Sequence, residues 1–69
     1  MPNEIAKIEL PIEQFPYGEN VFVLIGSVRK ALRHAKRYDE AENLMKRIEA
    51  EAKSYDEAVN ILQEYVELV

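Results

Sequence analysis

Apolar positions recur at helical spacing over most of this chain, and the recurrence divides into three segments. From Val21 to about Arg37, the residues Val21, Leu24, Ile25, Val28, Leu32 and Ala35 share one side of a helical wheel. After a short link around Tyr38, Ala41, Leu44, Met45, Ile48 and Ala52 repeat the pattern over roughly Asp39 to Lys53. A third set, Ala58, Ile61, Leu62, Tyr65 and Val66, predicts a helix running to about Glu67. The start signals agree with this division. Asn20 is placed to cap the first helix, and Ser54 with Glu57 has capping-box spacing ahead of the third. Asp39, Glu40, Asp56 and Glu57 lie where the positive end of a helix dipole favours acids.

The N-terminal stretch has a different period. Over residues 4–12, Ile8, Leu10 and Ile12 alternate with Lys7, Glu9 and Pro11, as in a half-buried strand. Pro11 has no amide to donate, which restricts the stretch to an edge strand or extended arm. The remaining sequence offers this strand no convincing partner. It is therefore expected to pair with its counterpart in another subunit or to lie across the helices. Pro16 and Gly18 then mark a turn into the first helix. The expected architecture is mainly α: residues 1–19 form an extended arm and turn, and residues 20–69 form a compact three-helix domain. The openings Tyr38-Asp-Glu-Ala and Tyr55-Asp-Glu-Ala echo one another, but the period and copy number are too small for a solenoid repeat. Two similar helix starts account for the echo.

Composition narrows the assembly state. A 69-residue chain is near the lower limit for a self-sufficient core. Without cysteine, disulfides and thiolate metal sites are both excluded, and His34 is the single histidine. Oligomerisation, as a dimer or tetramer, is the remaining supplement. No metal or cofactor is expected. No apolar run approaches the length of a membrane span, and the charged N-terminus is unlike a signal peptide, so a cytoplasmic protein is expected.

Charge is unevenly distributed. Residues 1–20 carry four acids and one base, and residues 39–69 carry nine acids and three bases. Between them, residues 21–38 hold Arg29, Lys30, Arg33, Lys36 and Arg37 with no acid, although the whole chain has net charge −4. Such asymmetry points to an anionic partner or to pairing within an assembly. At about 100° per residue, Phe22, Gly26, Arg29, Arg33 and Arg37 fall on one stripe beside the apolar face, flanked by Lys30 and Lys36.

An aromatic, a glycine and a row of arginines can hold a planar phosphorylated ligand, and the amides at the Asn20 end favour an anion. The candidate ligand-binding set is therefore Asn20, Phe22, Gly26, Arg29, Lys30, Arg33 and Arg37. A structural role fits the same residues: bases late in a helix suit its dipole, the arginines can meet the acidic helices, and Gly26 can mark a close helix crossing. No catalytic residue is assigned. Ser27 and Ser54 lack a Ser-His-acid setting, and no glycine-rich phosphate loop exists. His34 is expected in solvent. DNA binding is disfavoured by the net negative charge.

Three segments carry a resemblance: Gly18 to Ala35 (GENVFVLIGSVRKALRHA), Ser54 to Ala58 (SYDEA) and Glu64 to Val69 (EYVELV). Over residues 18–69 the chain resembles a family of small proteins of phages and mobile elements. Their pattern is an acidic-Gly-Asn turn, an aromatic, a mid-helix glycine, a basic Ala-Leu segment and a Glu-Tyr-Val-Glu ending. The resemblance implies a non-enzymatic counter-defence protein of the host cytoplasm, either a sponge for an anionic signal such as a cyclic nucleotide or an adaptor or inhibitor docking on a host protein. A purely structural oligomerisation module is the third expectation.

Overall fold

The computed structural model describes residues 7–69. Its elements are strand β1 (Ile8–Leu10), a short 3-10 turn (Ile12–Gln14), helices α1 (Val21–His34), α2 (Tyr38–Glu51) and α3 (Tyr55–Leu62), and strand β2 (Val66–Leu68). Residues 4–6 of the expected strand lie outside the described residues. The mainly α architecture is as the periodicity predicts. Leu24, Val28, Leu32, Leu44 and Leu62 meet in the centre with no accessible surface, joined from the strands by Leu10 and Val66. Among the described residues, no polar or charged residue is buried with them. This apolar burial is the principal force holding so short a chain together.

Two sequence expectations are corrected. First, β1 has a partner within its own chain. It pairs in parallel with β2, with Ile8 beside Val66, Glu9 beside Glu67 and Leu10 beside Leu68. The argument for an oligomer from an unpaired strand therefore fails. Second, α3 stops at Leu62 instead of continuing to Glu67. The amides of Glu64 and Tyr65 bond to the carbonyls of Ile61 and Leu62, each at 3.0 Å, tightening the last turn. Beyond it, Val66 and Leu68 turn inward and Glu67 outward, a period of two that the helical matches at Tyr65 and Val66 had obscured.

The helix ends follow local chemistry. Asn20 Oδ1 accepts from the Phe22 amide at 2.8 Å, capping α1. Ser54 Oγ accepts from the Glu57 amide at 3.2 Å, while Glu57 reaches back to the Lys53 amide at 2.8 Å, one residue earlier than a standard capping box. At the other end of α1, the Arg37 amide bonds to Leu32 O and the Lys36 amide to Arg33 O. This closure needs a left-handed residue, and Lys36 supplies it with φ 63° where glycine is usual. α1 therefore ends at His34, and Arg37 stands beyond it as the residue preceding α2.

Candidate functional site

The turn ahead of α1 is pinned to the start of α3, which fixes where α1 presents its first residues. Gly18 has φ 102°, which glycine alone adopts without strain, and its amide donates to the Tyr55 hydroxyl at 2.8 Å. The Tyr17 hydroxyl donates to Asp56 Oδ1 at 3.1 Å, and the Tyr17 and Tyr55 rings meet edge to face at 5.6 Å. The bond to Asp56, and then its negative charge, push the Tyr17 phenol above its ordinary pKa.

Past this turn the predicted stripe divides into working parts. Phe22 is exposed at 65% and its neighbour Val23 at 48%, both large for apolar residues at a helix start. Gly26 lies on the same exposed side, and a Cβ built on it would meet no atom within 4 Å. Arg33 and Lys30 are exposed and make no ion pair among the described residues, as does Lys36 beyond the helix. Two other members of the stripe are engaged. Arg29 is half-buried, its guanidinium lies 3.7 Å from Glu42 of α2, and its Nε is buried without a hydrogen-bond partner. Arg37 bonds to Glu40 in the first turn of α2, with Nε to Oε1 at 3.0 Å.

Asn20 is likewise occupied. Its side chain takes the Phe22 amide and its carbonyl takes the Val23 amide at 2.9 Å. The helix start therefore has fewer free amides for an anion than the sequence suggests. Phe22, Gly26 and Arg33 remain on one exposed side of α1, with Lys30 at its border toward β1 and exposed Val23 as a further member absent from the predicted set. Valine reads as core by type, and its position about 150° from the centre of the apolar face was the available signal of its exposure.

A concavity lies elsewhere. A cleft of about 860 Å³ runs between β1 and α1, lined on the helix side by Ser27, Lys30, Ala31, His34 and Ala35. His34, expected in solvent, is exposed and forms part of this wall. The strand side is residues 8–11 with Glu13, Gln14 and Pro16. Lys30 is the single member of the predicted set that reaches this cleft. Among the described residues, no helix is long and apolar enough to cross a membrane.

A second charged cluster lies on the acidic side. Arg47 of α2 donates to Glu64 at 2.9 Å, lies 3.4 Å from both Glu51 and the Tyr65 hydroxyl, and stands 5.9 Å from the centre of the Tyr65 ring. Hydrogen bonds to Glu64 and Tyr65 hold its guanidinium even more firmly protonated than usual. This cluster ties α2 to the turn before β2. No protein family, characterised protein or solved structure matched the chain in comparison.

Proposed function

We propose that this chain is a small non-enzymatic binding protein that docks on an acidic surface of another protein through the outward face of α1. One observation carries the reading: Gly26 sits in the middle of a helix with open space around it, between exposed Phe22 and exposed Arg33. A mid-helix glycine costs about 1 kcal/mol relative to alanine, and here no packing among the described residues repays it. A local rule broken without benefit to the fold is expected where a surface serves a partner. An exposed aromatic and, three turns further along the same side of the helix, an exposed arginine without an ion pair among the described residues are also residue types of interface hot spots. Lys30 and Arg33 give the face its preference for acids. The resemblance to small phage proteins makes a host protein the natural partner, with counter-defence as the setting.

A second reading, the sponge for an anionic cyclic nucleotide, rests on Phe22, Lys30 and Arg33 all being exposed on α1, with neither base in an ion pair among the described residues. The face is open, however, and a ligand of that size is usually enclosed by its site. Walls from another copy would have to complete it. A single comparison separates the readings. Wild-type chain and a Phe22→Ser/Arg33→Glu variant are immobilised and exposed to host lysate, and both are melted with and without cyclic di- and trinucleotides. Docking predicts a stoichiometric protein retained by wild type, lost by the variant, with unchanged circular dichroism and no nucleotide shift. A nucleotide-dependent rise in melting temperature, with no protein retained, would replace docking by the sponge.

A further inference from the structure

The cleft beside β1 is bounded by a strand edge whose backbone groups have no partner among the described residues. Ile8 donates to Tyr65 O at 3.1 Å, Ile12 donates to Val69 O at 2.8 Å, and Leu10 O accepts from the Val69 amide at 3.0 Å. Ile8, Leu10 and Ile12 thus direct their backbone groups at β2. Because direction alternates along a strand, the amide and carbonyl of Glu9 point to the opposite edge, where no backbone partner exists among the described residues. No residue of β2 lines the cleft, so this free edge is the one that opens into it. An unpaired edge of this kind is a template for another strand.

Charge shows what is missing there. Glu9 and Glu67 lie side by side in the register, both exposed, and neither forms an ion pair among the described residues. Adjacent like charges on paired strands are unfavourable, and a cation on an incoming strand would relieve them. The chain carries that cation at the required offset. When β1 meets a second β1 antiparallel about Ile8, Lys7 of each copy stands opposite Glu9 of the other. Each such pair can exchange both backbone bonds, since residues 7 and 9 share the outward phase. Pro11, having no amide, ends the ladder. On the helix wall, Ser27, Ala31 and Ala35 recur every fourth position, so the helices of two copies can approach closely over the joined strands.

We infer that β1 is the interface of a twofold dimer, in which two copies join their sheets into one four-stranded sheet with Lys7 of one copy opposite Glu9 of the other. The interaction is isologous: a single patch serves both sides. It restores the oligomer expected from the sequence through the second edge of β1, and it leaves Phe22, Gly26 and Arg33, which do not line the cleft, free. It is independent of what that face binds.

Charge reversal tests the inference on the full chain. Sedimentation equilibrium would be run over about 1–200 μM for wild type, Lys7→Glu, Glu9→Lys and the double variant, with circular dichroism checking each fold. The expected result is a wild-type dimer, a dissociation constant raised at least about tenfold in each single variant, and recovery to within about threefold in the double. In the single variants like charges face each other, and the double restores the pairing with reversed signs. A wild-type monomer throughout would overturn the inference. So would a dimer indifferent to both reversals, or a double variant weaker than either single. A dimer lost instead on Phe22→Ser would place the interface on α1.

Discussion

Arg47 and Arg33 occupy comparable positions, each on the flank of an amphipathic helix, and the fold treats them in opposite ways. Arg47 is surrounded by Glu51, Glu64 and Tyr65 and links α2 to the chain just before β2. Arg33 has no partner among the described residues and shares its side of α1 with Phe22 and Gly26. A charge with its partners at hand is explained by the fold. A charge without them, on the same exposed side of the helix as an aromatic and an unpacked glycine, has no such explanation among the described residues. Charge counting cannot make this distinction, because both arginines contribute equally to the net value.

The comparison can be broken by substitution. Removing Arg47 should have the largest effect on stability. Arg47→Ala loses charge-assisted hydrogen bonds and contact with the Tyr65 ring, and urea unfolding should show a loss of about 1–2 kcal/mol. An unchanged midpoint would mean that the cluster is surface decoration. Lys36→Gly should raise stability by about 0.5–1 kcal/mol, because glycine adopts the left-handed turn without the penalty that a Cβ imposes there. Lys36→Val should lower it, and equal midpoints for the two would refute the strain argument. Arg33→Ala should stay within about 0.5 kcal/mol of wild type, as an exposed residue without partners. A loss comparable to that of Arg47 would erase the distinction between the two arginines.

The smallest effect concerns the turn that presents α1. The neutral Tyr17 hydroxyl donates to Asp56, so its folded pKa is above the ordinary value of 10.0. The stabilising contribution is present below that ordinary value and is lost as pH rises through the higher folded value. Ultraviolet titration of tyrosinate absorbance should find Tyr17 titrating late, and Asp56→Asn should bring it back toward 10. A titration curve identical in the variant would show that the bond does not hold in solution.

The legibility of these features in the sequence differed by element. α1, α2 and the start of α3 were readable because period, cap and dipole signals coincided at Asn20, Ser54 and the acidic first turns. β2 was not, because Tyr65 and Val66 satisfy both a helical and an extended pattern, and only pairing with β1 decides between them. The same tertiary choice turned an apparently lone strand into half of a sheet. On α1, the wheel correctly grouped Phe22, Gly26 and Arg33. It could not show that Glu42 and Glu40 would engage Arg29 and Arg37, since ion pairing depends on where α2 lies in space. The cleft was likewise invisible, because its walls are distant in sequence and no single residue in it has an unusual type.

The central claim is that the outward face of α1 is kept for a partner at the expense of the fold, and Gly26→Ala tests it most directly. Its unfolding free energy would be measured in urea beside its retention of the protein captured by wild type. The account predicts a gain of about 1 kcal/mol in stability together with weakened or lost capture, since the added methyl group fills space the fold leaves open and the partner needs. A loss of stability would show that Gly26 serves the fold, and full capture by the stabilised variant would show that the face serves no partner. Either result contradicts the claim.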